Sequence, residues 1–381
     1  MSVPPEQFSG LAPDDDNQAV KRSERSLTPS TQPEQELFDD LTGRTLGGYR
    51  IQAKLGGGAM ASVYRALDEA QGRTVALKVV LPGADTIVRE RFRLEARTVS
   101  TLAHPNIVPT LQVGQAGAQA IHYIVMELVE GTTLAEVLEQ KRQLSVVDSC
   151  KLLMPVARAL AYAHEQSVIH RDVKPSNILL RRIDSVTSSP GRSNVGAAGV
   201  AHVEPVYVTA LPFHVVPLLS DFGIARSLDA PELTSVGRTI GTPAYMAPEQ
   251  CAGSRQIDGR ADIYALGAVL YRCLVGRPPF VGTTTQILHA HVYDPVTIPE
   301  ELLNQLPALI IEILKKTLAK EPELRYQKAS LLADDLRAAA NTIDQPAVQY
   351  DDLTTTMIAL PTVSPPPKTA QVLVPASTNK N

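Results

Sequence analysis

The spacing of apolar residues changes part of the way along this chain of 381 residues. Before residue 127, short strand-like runs such as 62–67 and 74–80 are separated by turns that contain glycine. After residue 131, apolar residues recur at steps of three and four, as in 262–275, which is typical of helices that face a core. A small strand-rich unit followed by a larger helical unit predicts an α+β fold with a cleft at the junction.

The folded unit predicted from this pattern covers residues 49–338 and lies between two tails. Residues 1–41 are rich in Asp, Glu, Gln, Ser and Pro, and residues 345–381 are rich in Thr, Pro and small residues. Both stretches lack a helical or strand period, so we expect disordered tails. Further elements are predicted as strands over 49–55, 107–113, 120–127 and 214–219, and as helices over 87–102, 147–165 and 306–318.

The overall composition disfavours several classes of protein. A formal net charge of -4 provides no basic field for nucleic acid or an anionic membrane surface. Cys150, Cys251 and Cys273 are an odd number without metal-type spacing, which favours a reducing compartment over a disulfide framework. The start of the chain does not look like a signal peptide, and the apolar runs are too short or interrupted to cross a bilayer. We therefore expect a cytoplasmic protein without a membrane span or a nucleic-acid partner.

A glycine-rich run lies between the first two predicted strands. Glycines there let backbone amides approach a phosphate without obstruction by side chains. By itself such a run is more often a flexible turn than a nucleotide loop. Its residues are Leu55, Gly56, Gly57, Gly58, Ala59, Met60, Ala61, Ser62 and Val63.

A lysine follows on an apolar strand, in the run Val75-Ala76-Leu77-Lys78. An ammonium group is costly to bury unless it meets anionic partners, and phosphates would satisfy it. Glu95, on the helix predicted next, is a second candidate partner. Taken alone, these two residues are as well explained by an ordinary surface ion pair.

The most specific signal is the run His170-Arg171-Asp172-Val173-Lys174-Pro175-Ser176-Asn177, followed later by Ser220-Asp221-Phe222-Gly223. Phosphoryl transfer needs a carboxylate that orients the nucleophilic hydroxyl, a cation near the moving phosphoryl group and oxygen ligands for Mg²⁺. These two segments supply all three kinds of group.

With these motifs in this order, residues 49–338 resemble the Hanks-type serine/threonine protein kinases, and most of all their bacterial members. The resemblance implies a bilobal protein-kinase fold. Its N-lobe, at about 49–126, would be a small antiparallel sheet with one main helix, and its helical C-lobe would cover about 132–338. An insertion at about 181–214 separates two segments that the family joins by a shorter connection.

The resemblance also assigns roles in the cleft. Lys78 would hold the α- and β-phosphates and pair with Glu95, under the glycine-rich loop. Asp172 would be the catalytic base, and Lys174 would neutralise the γ-phosphate, as in serine/threonine kinases. Asn177 and Asp221 would bind Mg²⁺.

The nucleotide base and the protein substrate would meet other segments. Backbone groups of Glu127 and Val129 would bond the adenine ring, and a separate set of apolar residues would sandwich it: Ala76, Val63 and Leu179. The run from Gly241 to Glu249 resembles the substrate-docking end of an activation segment, in which Thr242 favours serine/threonine substrates and Glu249 pairs with Arg325. His104 and Asp262 are interpreted as structural supports.

The implied activity is transfer of the γ-phosphate of ATP to serine or threonine hydroxyls of protein substrates. The implied cofactors are ATP and Mg²⁺, with Mn²⁺ as a second candidate cation. Thr234, Ser235 and Thr239 are candidate sites of autophosphorylation, with Arg171 and Arg226 receiving the phosphate, and a transient homodimer is a candidate partner for that step.

Two features depart from the family pattern. Ala61 replaces the third glycine of the phosphate loop, and its methyl group limits close backbone approach and positive φ angles. The insertion is rich in Ser, Gly and Arg over 181–199, which favours a tolerated surface loop over a docking site. Two alternatives to an active protein kinase stay open: a catalytically weak ATP-binding pseudokinase scaffold, and a small-molecule kinase of related fold.

Overall fold

The computed structural model describes residues 40–57, 61–80, 96–97, 99–117, 121–183, 205–222, 243–254 and 256–344. These ranges form a strand-rich N-lobe and a helical C-lobe, as the sequence predicts. Most of the helix predicted over 87–102 lies outside the described residues, as do almost all of both predicted tails.

The N-lobe is a six-stranded antiparallel sheet in the order β1-β2-β3-β4-β6-β5. Its strands are β1 (Thr45–Leu46), β2 (Tyr49–Gly57), β3 (Ala61–Asp68), β4 (Arg73–Val80), β5 (Thr110–Ala116) and β6 (Ile121–Glu127). Four predicted strands are confirmed, and each of their ends lies within two residues of the prediction: 49–55, 62–67, 74–80 and 120–127. The strand predicted over 107–113 begins later, at Thr110, because Ile107 instead bridges to Leu219 of the C-lobe.

The two faces of this sheet have different surroundings. Leu77 and Val79 of β4 and Tyr64 of β3 are buried in the apolar core of the lobe. Side chains alternate across a strand, so Lys78 lies on the opposite face. Val63 stands directly across from Lys78 in the β3–β4 ladder and shares that face. The alternation therefore directs this lysine towards the C-lobe.

The sheet of the N-lobe begins before the boundary predicted at residue 49. Leu41 and Leu46 are buried in the same core as Tyr49. The backbone N–H of Leu41 donates a hydrogen bond to the Tyr64 hydroxyl at 3.4 Å. The sequence did not indicate this edge, because β1 is only two residues long and has no period to detect.

The C-lobe packs its helices around one large apolar core that includes Leu160, Leu266 and Ile313. The helices predicted over 147–165, 262–275 and 306–318 are confirmed, each within two residues at either end. Ser145 caps the second helix, accepting a hydrogen bond from the N–H of Asp148, and Gly276 ends the fourth at φ 84°. The helices are α1 (Leu134–Lys141), α2 (Val146–Glu165), α3 (Pro248–Cys251), α4 (Arg260–Val275), α5 (Thr284–Tyr293), α6 (Glu300–Leu303), α7 (Ala308–Thr317) and α8 (Ala329–Asp344).

A second, three-stranded antiparallel sheet lies where the lobes meet, in the order β7-β8-β9. Its strands are β7 (Gly131–Thr133), β8 (Ile178–Ile183) and β9 (His214–Leu219), the last as predicted. The insertion predicted at 181–214 is therefore wrong at its first residues, because Arg181–Ile183 continue the ladder with β9.

The end of the insertion is also ordered. Val206 forms a β-bridge with Val215, and Val208 is completely buried. Thr209 donates two hydrogen bonds to the buried Asp148 carboxylate, from its N–H at 3.0 Å and from its hydroxyl at 2.5 Å. Residues 205–213, which we call the stem, are thus attached to the start of α2, and residues 184–204 lie outside the described residues.

Candidate active site

The loop before β8 brings three of the predicted site residues together. The Lys174 Nζ atom lies 2.7 Å from the Asp172 Oδ2 atom. The Asn177 amide nitrogen donates to the Asp172 carbonyl oxygen at 2.8 Å and to its Oδ2 at 3.1 Å. Because the amide nitrogen faces Asp172, the Oδ1 atom of Asn177 is the one left for a cation. Asp172 is thereby held in one orientation between the Lys174 ammonium group and the Asn177 amide group.

Lys78 and Asp221 meet across the cleft from the two lobes. The Lys78 Nζ atom donates to the Asp221 Oδ1 atom at 2.7 Å. Burial raises the pKa of Asp221, but the charge of Lys78 and this hydrogen bond outweigh burial and hold the pKa below its ordinary value. The carboxylate is therefore ionised at neutral pH, as a ligand for a cation or a partner for a lysine must be.

His170 supports the catalytic loop from inside. Its side chain is completely buried, and burial lowers its pKa, so the imidazole is neutral. The N–H of Asp172 donates to His170 Nδ1 at 3.2 Å, which places the proton on Nε2, where it reaches the Ser220 carbonyl oxygen at 2.9 Å. Phe222 packs on the imidazole with ring centroids 4.6 Å apart. His170 thus connects Asp172 to the segment that carries Asp221.

Asp262, predicted to be a structural support, stabilises the backbone of the same loop. Its buried carboxylate accepts hydrogen bonds from the N–H groups of His170 and Arg171, both at 2.8 Å. The His164 imidazole lies 2.8 Å from its Oδ2 atom. Arg171 has φ 63°, a conformation that costs free energy for a residue with a side chain. Asp262 stabilises that backbone turn just before Asp172.

The segment between the lobes carries the residues predicted to hold adenine. Val129 packs with Leu179 of β8 in a small apolar cluster that includes Met126. Ala76 is directly across from Met126 in the β4–β6 ladder and shares a face with Lys78. Glu127 ends β6, and its N–H donates to the Pro109 carbonyl oxygen at 3.0 Å. Val63 and Ala76 thus share the face of the N-lobe sheet that carries Lys78, while Leu179 belongs to β8, and their contact with adenine stays a prediction.

The glycine-rich loop is described only in part. Gly56 and Gly57 end β2 opposite Val63 and Ser62, while Gly58, Ala59 and Met60 lie outside the described residues. Ala61 is not among the described residues with positive φ, so its methyl group meets no backbone strain. It pairs with Val80 in an ordinary strand. The doubt that Ala61 raised about nucleotide binding therefore loses its conformational basis, and Leu55, next to the loop, is half exposed.

The predicted pair of Glu249 and Arg325 is confirmed. Two parallel hydrogen bonds of 2.8 Å join the guanidinium to the carboxylate. The Arg325 side chain is completely buried and also donates to the carbonyl oxygens of Ala319, Lys320 and Arg260. Both charges of the Glu249–Arg325 pair are therefore compensated. The pair attaches the segment at 243–251 to the base of the C-lobe.

Several predicted residues lie outside the described residues. They include Glu95, the proposed partner of Lys78, and the end of the activation segment at Gly241 and Thr242. They also include Arg226 and the candidate phosphorylation sites Thr234, Ser235 and Thr239. These predictions stay predictions.

Sequence reasoning missed the apolar wall behind the lysine. A cavity lies beside Lys78 and Asp221 and extends between the lobes. The sequence carries little signal for it, because its walls come from single residues of separate elements. Ser220 and Phe222 flank Asp221 in the predicted run, and Met126 begins the predicted segment between the lobes. The lining residues that the sequence analysis did not single out are Ala96, Val99, Val108, Thr110, Ile124 and Leu219.

The side chains present fit a divalent cation that is bound partly by the protein and partly by phosphate oxygens. Asp221 offers a carboxylate and Asn177 an amide oxygen, the hard donors that Mg²⁺ prefers. Within the described ranges, no group of three or more His, Cys, Asp or Glu could hold a metal ion. A cation at Asp221 and Asn177 would therefore take its other ligands from water or from a nucleotide.

Comparison with known proteins gives consistent matches. Residues 49–336 match the model of the protein kinase domain. The DNA damage-responsive serine/threonine-protein kinase RqkA of Deinococcus radiodurans is 38% identical over 303 residues, which are 77% of this chain and 40% of RqkA. The serine/threonine-protein kinase PknD of Mycobacterium tuberculosis is 34% identical over 307 residues, which are 80% of this chain and 41% of PknD.

The fold also matches a solved structure. The crystal structure of the Mycobacterium tuberculosis PknI kinase domain aligns with a TM-score of 0.55 and 26% identity, over 78% of this chain and 98% of that domain. The curated relatives are longer proteins, since this chain spans less than half of RqkA and of PknD. Among the described helices, none is long and apolar enough to cross a membrane.

Proposed function

This chain belongs to the protein kinase family, and from that premise we propose that it transfers the γ-phosphoryl group of ATP to serine and threonine hydroxyls of other proteins. The observation that carries the proposal is the geometry around Asp172. Lys174 and Asn177 hold this carboxylate from one loop, and Lys78 meets Asp221 across the same cleft. This arrangement supports an active phosphotransferase over a binding scaffold.

Each side chain has a task that follows from its position. Asp172 orients the acceptor hydroxyl and takes its proton at a carboxylate oxygen. Lys174, now paired with Asp172, moves to the phosphoryl group as negative charge approaches. Lys78 binds the α- and β-phosphates, and the backbone of Glu127 and Val129 bonds adenine. A divalent cation at Asp221 and Asn177 would neutralise phosphate charge when bound.

The choice of serine and threonine rests on two observations. Lys174 stands two residues after the catalytic aspartate, as in kinases of these substrates, and the relatives RqkA and PknD carry serine/threonine in their names. We propose Mg²⁺ as the physiological cation, with Mn²⁺ as a substitute, because hard oxygen donors accept both. None of the three cysteines forms a disulfide among the described residues, which supports a reducing, cytoplasmic setting.

We further propose that the enzyme autophosphorylates at Thr234 or Thr239 within a transient homodimer. A phosphate there would form charge-assisted hydrogen bonds with Arg171 and Arg226. Mass spectrometry of active enzyme before and after incubation with ATP tests this step. Active enzyme without any modification between residues 223 and 242 would contradict it.

The test of the main proposal is label transfer from γ-labelled ATP to a generic basic protein, in the presence of Mg²⁺. We expect label on the added protein and on the enzyme, with phosphoserine or phosphothreonine after hydrolysis. A Lys78→Met variant is the matched control, because it keeps the fold and loses the phosphate-binding cation. Nucleotide binding without any label transfer would favour the pseudokinase scaffold. Label on a small alcohol alone would favour a small-molecule kinase.

A further inference from the structure

An ion pair joins the two lobes next to the segment that connects them. The Arg181 guanidinium donates to the Glu127 Oε1 atom at 2.8 Å. Glu127 is the last residue of the N-lobe sheet, whereas Arg181 is in the middle of β8 in the C-lobe. Their side chains are 42% and 30% exposed, so the pair is only partly shielded from water. It is a direct link between the lobes, separate from the Lys78–Asp221 pair.

The backbone holds β8 directly against this segment. Arg181 stands across from Gly131 in the β7–β8 ladder, and the N–H of Arg182 donates to the Glu130 carbonyl oxygen at 2.9 Å. A Cβ atom on Gly131 would lie 2.0 Å from the Leu180 carbonyl oxygen, so no side chain fits between the two segments. The position of Arg181 relative to residues 127–131 is therefore determined by backbone contacts.

Glu127 is equally well held on its N-lobe side. It stands across from Val75 in the β4–β6 ladder, and its N–H bonds to Pro109. β8 itself begins at Ile178, directly after Asn177 of the catalytic loop. The pair of Glu127 and Arg181 thus joins the strand that follows the catalytic loop to the residue whose backbone would face adenine.

We propose that Arg181 is a positioning residue for the nucleotide, acting through the Glu127 side chain. By holding Glu127 against β8, it keeps the backbone of residues 127–129 in the orientation that bonds adenine and limits rotation between the lobes. Arg181 itself contacts neither ATP nor the acceptor hydroxyl. This inference rests on the proposed function, since it assumes that adenine binds at residues 127–129.

The expected effect is modest, because partly exposed ion pairs contribute little to stability. Removing the guanidinium should weaken nucleotide binding about two- to fivefold, which corresponds to the usual strength of such pairs. The rate of phosphoryl transfer at saturating ATP should stay within about twofold of the wild type, because Arg181 does not touch the reacting groups. Salt should reduce the difference, because it screens an exposed pair.

The experiment is calorimetric titration of the full chain with Mg²⁺-ADP at about 0.05 M and about 0.5 M salt. The variant is Arg181→Met, and the matched control is Arg50→Met, which removes an exposed pair with Glu69 in the N-lobe. We expect a raised Kd for Arg181→Met at low salt that approaches the wild-type value at high salt. Arg50→Met should have the same Kd as the wild type at both salt concentrations. The double variant Glu127→Arg with Arg181→Glu should recover at least half of the lost affinity.

The outcomes separate this inference from the proposed function. If the wild type binds Mg²⁺-ADP and Arg181→Met binds it equally well, Arg181 is not a positioning residue and the proposed function stands. If Arg181→Met is weaker by the same factor at both salt concentrations, or the double variant recovers nothing, the ion pair is not the cause. If the wild type binds no nucleotide, the proposed function fails and this inference fails with it.

Discussion

At the scale of single residues, the cleft is organised by charges that compensate each other. Asp172 and Asp221 are each within 2.7 Å of a lysine, and those lysines come from different lobes. In a pair of this kind each charge has an opposite partner before a nucleotide binds, and the lysines can move to phosphate when it arrives. Asp172 is the most informative residue to change, because its proposed tasks, orienting the acceptor hydroxyl and taking its proton, do not include nucleotide binding.

We expect Asp172→Asn to lower kcat about 10²- to 10⁴-fold, the range for loss of a general base. Affinity for Mg²⁺-ADP should change little, because Asp172 is not among the residues proposed to bind nucleotide. Steady-state kinetics with a basic protein substrate, together with titration of ADP, measure both quantities. Asp334→Asn, which alters an exposed pair with Arg337, is the control. Wild-type turnover in Asp172→Asn would contradict the assignment.

A second residue-scale prediction concerns the buried His291 of α5. Burial, and then the charge of Lys320, lower the pKa of His291 to about 4. The unfolded chain binds a proton here below pH about 6.5, whereas the folded chain does so only near pH 4. Folding stability contributed by the neutral imidazole is therefore present above pH about 6.5 and decreases as the pH falls towards 4.

We expect His291→Gln to lose less stability than the wild type between those two pH values. The measurement is the free energy of unfolding by urea at several pH values across the window, with the pH 7.5 value of each protein as its own reference. The loss of unfolding free energy at acidic pH should become smaller but should not disappear, because the pKa of the buried His170 is also lowered. Parallel curves for the two proteins would show that His291 does not titrate in this way.

At the scale of elements, the stem of the insertion is part of the C-lobe. Asp148 accepts two hydrogen bonds from Thr209, and Val208 is buried in the main core. Ile183 and Val206 flank the first two residues of β9 on opposite sides, so the two ends of the loop between them are about two strand spacings apart, roughly 10 Å. A loop with ends this close tolerates changes in length at little cost.

We expect Asp148→Ala to destabilise the protein by about 1–3 kcal/mol, because it leaves two polar groups of Thr209 without their buried acceptor. Replacing residues 186–202 with a short Gly-Ser linker should change the free energy of unfolding by less than about 1 kcal/mol. Urea unfolding of both variants measures this, with Asp334→Ala as a surface control. A shortened loop that destabilises more than Asp148→Ala would contradict the assignment of the stem.

At the scale of the whole molecule, several contacts between the lobes in the described part of the chain involve residues of the cleft or of the segment that joins the lobes. Lys78 joins Asp221, Glu127 joins Arg181, and the Asn106 side chain donates to the Pro217 carbonyl oxygen at 2.8 Å. A ligand that contacts both lobes adds further contacts between them, and it can do so only in the folded state. Nucleotide binding should therefore stabilise the whole kinase domain as one unit.

We expect Mg²⁺-ADP to raise the midpoint of thermal unfolding, with stabilisation of about 2.7 kcal/mol at a hundred times its Kd. Adding a chelator in excess of the metal should remove most of the shift, because the cation proposed at Asp221 and Asn177 would neutralise the phosphates. Differential scanning calorimetry with and without the chelator measures the effect. An equal shift with metal-free ADP would contradict a role for the cation.

The proximity of several residues of the candidate site could be predicted because they occur in contiguous runs of the sequence. Asp172, Lys174 and Asn177 lie within six residues of one loop, so their proximity follows from the chain itself. The glycine-rich run and Lys78 were found in the same way. Glu127 was predicted for its backbone, but its bond to Arg181 was not, because 54 residues separate the two side chains.

The sequence by itself determined which groups are available and in which order, along with the change from strands to helices. It could do so because the side-chain period of each element and the local spacing of a motif are properties of neighbouring residues. Only the tertiary structure decided that Lys78 meets Asp221, that the stem attaches to Asp148 and that Arg181 reaches the segment between the lobes. Such contacts depend on how distant elements pack, and a local pattern carries no information about that packing.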